Sequence, residues 1–154
     1  MTAVFSYICN RETLTLKVLD LLWNIIVRRV EPGLLARAVT RLEEVKFWGL
    51  DLTEEQVKAI LRALCDGAVV KLKMLDLTHN YKVQRLDSGL LAKAVIRLEE
   101  VNFWDTDLTE EDVTAILRAI CGGPTYKLRA LDLSDTPPGY IRRLLEIVLK
   151  YDFF

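Results

Sequence analysis

The chain contains the same long segment twice. Residues 33–66 read GLLARAVTRLEEVKFWGLDLTEEQVKAILRALCD, and residues 89–122 read GLLAKAVIRLEEVNFWDTDLTEEDVTAILRAICG. The two copies align without a gap, Gly33 on Gly89, and 25 of the 34 paired positions are identical. A unit that recurs in register buries its apolar face by packing against its copy. The repeat therefore predicts a solenoid, and with it an extended surface suited to binding.

Composition places the chain among folded proteins of one domain. It has 154 residues, of which 51% are hydrophobic and 28% are charged, and this balance argues against disorder and against a membrane protein. The formal net charge of −1 provides no general attraction to nucleic acid or to anionic lipid. No apolar run approaches the roughly 18 residues that a membrane-spanning helix needs. We therefore expect one domain over residues 1–154 that binds neither nucleic acid nor membrane.

The cysteines indicate a compartment rather than a reaction. Cys9, Cys65 and Cys121 are evenly spaced at the interval that separates the two copies, so they occupy one position in successive copies and are interpreted as small buried residues. An odd number of buried thiols suits a reducing compartment. The first residues, MTAVFSYICN, lack the basic start and the long apolar stretch of a signal peptide. We predict a cytoplasmic protein.

Each full repeat unit divides into a shorter and a longer half. The pattern L-x-x-[LV]-x-[LF] begins at positions 16, 42, 72, 98 and 128, so shorter and longer steps alternate. Its period of two is typical of a short strand, and a helical pattern follows each copy. The predicted organisation is a capping helix over 1–15, repeats over 16–41, 42–71, 72–97 and 98–127, and a last repeat with a capping helix over 128–154.

Local signals predict where several helices begin and end. Thr53 and Thr109 stand where an N-cap belongs, with Gln56 and Asp112 at the third position after each. Asp66-Gly67 and Gly122-Gly123-Pro124 are typical of helix ends. Near the end of the chain, residues 140–150 place apolar side chains on one helical face, which predicts the terminal cap.

These spacings resemble the leucine-rich repeats, and the alternation of two long repeat types resembles their ribonuclease-inhibitor-like subclass, which is also found in intracellular NLR immune receptors. The resemblance implies an α/β fold: a short right-handed horseshoe with about five parallel strands on the concave face and helices on the convex face. One departure stands out. The asparagine usual after the last strand leucine is present at positions 24 and 80, whereas Leu50, Thr106 and Thr136 replace it elsewhere. We expect the loops of the two half-repeats to differ.

The side chains that alternate with the core leucines are predicted to form the partner-binding surface. Trp48 and Trp104 stand at equivalent positions two strands apart, so roughly 10 Å separates their backbones. That spacing predicts that the two rings do not touch each other and that both contact one inserted segment of the partner. The carboxylates of the same surface favour a basic protein partner. The alternative interpretations are a solvated acidic column and indoles packed against the rim. The candidate residues are Glu44, Lys46, Trp48, Met74, Asp76, Glu100, Asn102, Trp104 and Asp132.

The first predicted strand is the most apolar one and has an unpaired edge. Residues 18–27 read VLDLLWNIIV, with only Asp20 and Asn24 polar. Bare apolar edges pair or aggregate. We therefore predict a homodimer about a two-fold axis. Its candidate residues are Val18, Leu22, Trp23 and Ile25.

Catalytic motifs are absent from the sequence. His79 is the single histidine, and it is interpreted as a solvated or locally hydrogen-bonded loop residue. The sequence has no glycine-rich phosphate loop, no CxxC and no nucleophile motif. We expect a non-catalytic protein-interaction module without metal or cofactor. Likeness to known leucine-rich repeat proteins suggests two alternatives, which are a GTPase-regulator role and innate-immune ligand recognition.

Overall fold

The computed structural model describes residues 1–67, 70–122 and 127–135, apart from the side chains at positions 84 and 85. Within this part of the chain, five parallel strands form one sheet and five α-helices accompany it. The chain is therefore α/β, in an arrangement compatible with a solenoid. The predicted helix over residues 140–150 and the loop residue Thr136 fall outside the described residues.

Helices follow strands along the chain. The α-helices are α1 Thr2–Asn10, α2 Pro32–Val39, α3 Glu54–Asp66, α4 Ser88–Val95 and α5 Glu110–Gly122. The strands are β1 Val18–Asp20, β2 Glu44–Lys46, β3 Met74–Asp76, β4 Glu100–Asn102 and β5 Ala130–Asp132. Two short 3₁₀ helices, Ile25–Arg29 and Tyr81–Arg85, follow β1 and β3. Each of the five predicted strand segments is confirmed, although every strand is short.

The sheet runs in sequence order, and every neighbouring pair is parallel. The register aligns the same position of the repeated pattern across strands: Leu19 pairs with Val45, Leu75 with Val45, and Leu75 with Val101. Because the side-chain period of a strand is two, this register sends equivalent side chains to one face. β1 lies at one edge of the sheet, and no described strand pairs with its outer side.

One face of the sheet packs on the helices. The central residues of the first four strands are buried in a core shared with apolar residues of the helices, including Phe5, Leu35, Ile60 and Leu91. Successive helices contact one another from α1 to α5. We call the other face of the sheet the open face. The first and the third residue of each strand lie on it, and the first residues are Val18, Glu44, Met74, Glu100 and Ala130.

The predicted N-caps are confirmed. Thr53 Oγ1 accepts a hydrogen bond from Gln56 N at 3.2 Å, and Gln56 Oε1 accepts one from Thr53 N at 3.0 Å, which completes a capping box. At the start of α5, Asp112 N donates to Thr109 Oγ1 at 3.2 Å and Thr109 N donates to Asp112 Oδ2 at 2.9 Å. These bonds satisfy amides that a helix start leaves without partners.

The loops of the two half-repeats differ, as predicted. A 3₁₀ helix follows Asn24 and another follows Asn80, whereas after β2 and β4 the chain passes through a loop to the N-caps of α3 and α5. At the positions without asparagine, Leu50 joins the core, and Thr106 is buried and donates to Phe103 O at 2.7 Å. The loops of the two half-repeats therefore differ together with the residue at this position: Leu50 packs in the core, and Thr106 bonds to a backbone carbonyl.

Candidate functional site: an aromatic row beside an acidic cavity

A tight turn follows each strand and carries the site. Every described residue of positive φ has a φ between 49° and 67°. The third residue after each of the five strands is among them, so its backbone is left-handed. These five turn residues are Trp23, Gly49, His79, Asp105 and Asp135. Left-handed backbone is uncommon for residues with a Cβ, and here a hydrogen-bond ladder holds it.

That ladder continues beyond the strands. Trp23 N donates to Trp48 O at 3.1 Å, Gly49 N to Thr78 O at 3.0 Å, and His79 N to Trp104 O at 3.1 Å. Each turn is therefore bonded to the next one in the same register. As a result, side chains from neighbouring turns stand side by side at the carboxyl end of the sheet.

Five side chains at this end form what we call the aromatic row: Trp23, Trp48, His79, Trp104 and Tyr81. Ring centroids are 6.0 Å apart for Trp23 and Trp48, 5.9 Å for Trp48 and His79, and 5.0 Å for His79 and Trp104. Tyr81 meets His79 edge to face at 6.3 Å. These spacings lie in the range of favourable aromatic contact, so the rings form one continuous surface.

The prediction that Trp48 and Trp104 are too far apart for ring contact is wrong. Their centroids are 6.4 Å apart with a 54° interplanar angle. Backbone spacing alone misled the prediction because indoles reach far from their Cα atoms and tilt towards each other across β3. Both indoles are half-buried, and they lie outside the core that the strands share with the helices.

The absence of a side chain at Gly49 makes room for Trp23. A Cβ at this position would lie 2.6 Å from Cε3 of the Trp23 indole, which is closer than real Cβ contacts. Trp23 is nevertheless 59% exposed, so its ring rests on the Gly49 backbone with its outer face in solvent. It is the most accessible indole of the row.

Sequence reasoning missed His79 as a member of the site. His79 takes the place of Trp23 in the next copy of the repeat, and hence the equivalent turn position on the other side of Trp48. Its ring stacks at 15° to that of Trp48. The repeat alignment contained the signal, because it pairs His79 with Trp23. Considered only as a catalytic candidate, His79 was interpreted as a loop residue.

Carboxylates hold one end of the row. Asp105 Oδ2 lies 2.6 Å from His79 Nδ1 and accepts a hydrogen bond from the Tyr81 hydroxyl at 3.1 Å. Trp104 Nε1 donates to Asp135 Oδ2 at 2.6 Å. The bond to Asp105 raises the pKa of Tyr81, with burial and the charges of Asp105 and Asp107 acting in the same direction. Negative charge is therefore concentrated at the Trp104 and Tyr81 end.

Two buried polar atoms inside the site have no partner among the described residues. They are Trp48 Nε1 and Thr78 Oγ1. Thr78, the second residue after β3, is only 2% exposed, and the indoles of Trp48 and Trp104 meet across that strand. Leaving a buried donor unsatisfied costs about 1–3 kcal/mol.

A cavity of about 600 Å³ opens beside the row on the open face. Five predicted partner-binding residues line it together, namely Met74, Asp76, Glu100, Asn102 and Asp132. Among the lining residues that the structure describes, Arg129 is the single basic one. Glu44 and Lys46 lie on β2, outside the lining. Asn102 connects the cavity to the row, because its Oδ1 accepts a hydrogen bond from Trp104 N at 2.9 Å.

The acidic column is neither free nor merely solvated. Asp76 Oδ1 accepts a hydrogen bond from Thr78 N at 2.9 Å, and Asp132 Oδ1 accepts one from Ser134 N at 2.8 Å. Asp20 makes the equivalent bond to Leu22 N. These side chains stabilise the turns, and Asn102 shows that an amide oxygen serves equally well. The carboxylates therefore supply charge beyond what the turn requires.

Basic side chains at the opposite end of the strands are already paired. Lys17 Nζ lies 3.0 Å from Glu43 Oε1, and Lys73 Nζ lies 2.8 Å from Glu43 Oε2. Hydrogen bonds from Lys73 and Lys17 hold the pKa of Glu43 below its ordinary value. These lysines are therefore engaged away from the cavity.

The predicted dimer residues form an exposed apolar edge. Val18, Leu22 and Ile26 are all exposed, Trp23 is 59% exposed and Ile25 is 64% exposed. They lie on β1, its turn and the start of the 3₁₀ helix that follows. We call these five residues the β1 edge surface. Trp23 belongs both to this surface and to the aromatic row.

The cysteines occupy equivalent positions but are half-buried rather than fully buried. Cys9 Sγ lies 3.7 Å from Leu34 O, and Cys65 Sγ lies 3.8 Å from Leu90 O. Burial raises the pKa of the Cys65 thiol, with a contribution from Asp66, and burial also raises the pKa of Cys121. Raised thiol pKa values mean little thiolate at neutral pH, which suits a packing role.

Within residues 1–67, 70–122 and 127–135, no group of three or more His, Cys, Asp or Glu side chains is arranged to hold a metal ion. No helix in the same residues is long and apolar enough to cross a bilayer. No protein-family model matches the chain, and no curated protein matches it.

Proposed function

We propose that the chain is a non-catalytic, cytoplasmic protein-recognition module built as a short leucine-rich-repeat horseshoe. Its open face is the concave one, and it binds a basic segment of a protein partner. The observation that carries this proposal is the continuity of two surfaces. One is a row of contacting aromatic rings, of which Trp23 and Tyr81 are exposed, and the other is a cavity of about 600 Å³ whose described lining includes three carboxylates.

Charge determines the chemistry of the partner. Asp76, Glu100 and Asp132 line the cavity together, with Arg129 as the single basic residue among its described lining residues. Clefts lined by charge of one sign concentrate oppositely charged ligands and accelerate their association. A lysine or arginine side chain of the partner fits this cavity, because it brings donors to carboxylate oxygens that the turns leave available.

The aromatic row supplies most of the affinity. Tryptophan and tyrosine are enriched among the residues whose truncation costs about 2 kcal/mol or more at protein interfaces. Trp48 and Trp104 are already in contact before any partner arrives, so these two side chains lose little freedom on binding.

Neutralising the cavity should weaken binding of a basic peptide by at least about tenfold. The variant combines Asp76→Asn, Glu100→Gln and Asp132→Asn. An asparagine oxygen keeps the turn hydrogen bond, as Asn102 already demonstrates, so charge is removed without loss of the turn. Affinity is measured by fluorescence anisotropy with a labelled, end-blocked peptide of alternating lysine and alanine.

The matched control combines Glu54→Gln, Glu55→Gln and Glu111→Gln, which removes the same number of charges from helix starts. This control should bind within about twofold of the parent chain, because screening weakens charges at a distance. Equal binding by the cavity variant and the parent chain would rule out the acidic cavity as the recognition site.

A homodimer is a second candidate function, and the β1 edge surface favours it. A strand edge without a described partner and five exposed apolar side chains coincide there. In a dimer with a two-fold axis, the β1 edge surface of one copy packs against the β1 edge surface of the other, as in isologous interfaces. Stable interfaces bury about 800 Å² on each partner, so the contact extends beyond these five side chains.

Leu22→Glu combined with Ile25→Glu should convert a dimer into a monomer, because it places four carboxylates in one symmetric interface. Light scattering coupled to size exclusion measures the mass. Val4→Glu is the control, since Val4 is equally exposed on α1 but lies outside the β1 edge surface. A parent chain that is monomeric at tens of micromolar would exclude this function.

A further inference from the structure

The unpaired atoms inside the aromatic row restrict what can bind there. An indole Nε1 carries a proton and no lone pair for hydrogen bonding, so Trp48 requires an acceptor from its ligand. Lysine and arginine side chains have no acceptor. A cation inserted among the rings would therefore leave Trp48 Nε1 unsatisfied, whereas a carbonyl oxygen would satisfy it.

Aromatic rings surround the Trp48 side chain that carries this donor. Trp48 is in contact with Trp23, His79 and Trp104. A peptide carbonyl that enters this environment should not bring an N–H group with it, because a buried amide without a partner is costly. Proline is the residue whose nitrogen carries no proton, and its ring adds an apolar face that packs on indoles.

Backbone shape supports the same ligand. Proline-rich segments are already extended as polyproline II helices before binding, so they lose little conformational entropy. Their carbonyls point outward and are free to accept hydrogen bonds. Grooves lined by aromatic side chains are the surfaces that such segments bind.

Charge gives the ligand a direction. Asp51, which follows the Gly49 turn, is already paired with Arg28 at 2.7 Å and with Lys82 at 3.4 Å. By contrast, Asp105, Asp107 and Asp135 have no lysine or arginine ion pair among the described residues. A basic residue next to the proline segment is therefore attracted to the Trp104 end.

We propose that the aromatic row binds a proline-containing extended peptide segment that carries a lysine or arginine at its Asp105 end. This inference rests on the proposed recognition function and specifies the chemistry of the partner. Trp48 Nε1 donates to a peptide carbonyl. Trp23, the most exposed ring, moves off Trp48 to admit the segment, while Trp104 stays bonded to Asp135.

Nuclear magnetic resonance of the ¹⁵N-labelled full chain tests this proposal, because each of the three tryptophans has its own indole N–H signal. Trp→Phe variants assign the signals. The probes are two end-blocked peptides, hexaproline followed by arginine and hexa-alanine followed by arginine. The proline peptide should move the Trp48 signal downfield, since the N–H gains an acceptor, and the alanine peptide should leave it within about a fifth of that shift.

Two substitutions separate a hydrogen bond from ring packing. Trp48→Phe keeps an aromatic ring and loses the donor, so it should weaken binding of the proline peptide about five- to tenfold. Trp23→Phe, with the same change of side chain, should weaken it less than about twofold. Both variants are first checked for a parent-like backbone spectrum.

The outcomes are distinct. An unmoved Trp48 signal at millimolar proline peptide, or an equal shift with the alanine peptide, would overturn the proposal. If the proposed cavity fails instead, neutralising Asp76, Glu100 and Asp132 leaves lysine-peptide binding unchanged while the proline peptide still shifts the Trp48 signal. A third outcome is that lysine-peptide binding depends on those charges while the proline peptide leaves the Trp48 signal unmoved. This outcome would support the cavity as a binding site and reject the proline site.

Discussion

The Asn80→Ala variant should unfold with a free energy about 3–4 kcal/mol below that of the parent chain. Asn80 is fully buried, and its amide connects two neighbouring turns. Its Nδ2 shares two protons among Phe47 O at 2.8 Å, Leu77 O at 3.0 Å and Thr78 O at 3.1 Å, while its Oδ1 accepts from Leu52 N at 2.9 Å. Alanine leaves Phe47 O and Leu52 N without these partners, whereas Leu77 O still accepts from the backbone N of residue 80 and Thr78 O still accepts from Gly49 N.

The repeat offers the matched control. Asn24 occupies the same position in the preceding copy, but it is exposed, and its Nδ2 donates to Leu22 O at 3.2 Å. Asn24→Ala should therefore cost less than about 1 kcal/mol. Urea unfolding at equilibrium measures both values. Equal losses in the two variants would mean that the bonds of Asn80 contribute no more to stability than the single exposed bond does.

The Asn80 variant also has a functional consequence. Asn80 lies between His79 and Tyr81, two members of the aromatic row, and bonds to the carbonyl of Thr78. Loss of its hydrogen bonds should loosen the turn that supports these rings. We expect weaker near-ultraviolet circular dichroism from the clustered tryptophans in Asn80→Ala, and an unchanged spectrum in Asn24→Ala.

The second large effect is expected for Gln56→Glu, a change of one group in the first turn of α3. Gln56 is 1% exposed, and its Nε2 donates to Val27 O and Val30 O, each at 2.8 Å. A carboxylate there faces two carbonyl oxygens with no donor of its own. We expect a loss of about 3–5 kcal/mol at neutral pH, the cost of burying an uncompensated charge.

This loss should depend on pH in a defined direction. Burial beside two carbonyls raises the pKa of the introduced carboxyl in the folded state above about 4.3, its value in an unfolded chain. The protonated group donates one hydrogen bond, so the variant is least impaired below that unfolded value. Its stability relative to the parent then falls as pH rises towards the raised folded pKa, by up to about 1.4 kcal/mol per pH unit.

Thermal unfolding at several pH values checks this expectation. Glu55→Gln, at the neighbouring exposed position, is the control and should show no comparable dependence on pH. A constant difference between Gln56→Glu and the parent chain from acidic to neutral pH would show that the introduced carboxyl keeps an ordinary pKa.

Much of the fold was predictable because it depends on local patterns. The alternation of apolar residues around Leu19, Val45, Leu75, Val101 and Leu131 predicted where each strand lies. Thr53 followed by Gln56 predicted the start of α3, because a capping box is formed by residues three apart. Such signals depend on neighbours in sequence, and sequence alone contains them.

The candidate site was predicted only in part. Met74, Asp76, Glu100, Asn102 and Asp132 were assigned to one surface, and they line one cavity. The contact of Trp48 with Trp104 across β3, the burial of Thr78 and the stacking of His79 on Trp48 were not foreseen. Each depends on how far a side chain extends and which way it turns, and strand register does not specify either.

Periodicity was enough to predict the repeat, the order of strands and helices, and which residue types share each column. The contacts among the five rings, the indole of Trp48 without an acceptor among the described residues, and the burial of Asn80 beside the exposure of Asn24 emerged from the fold instead. Packing and burial arise between residues far apart in the chain, so equivalent positions of a repeat meet different neighbours.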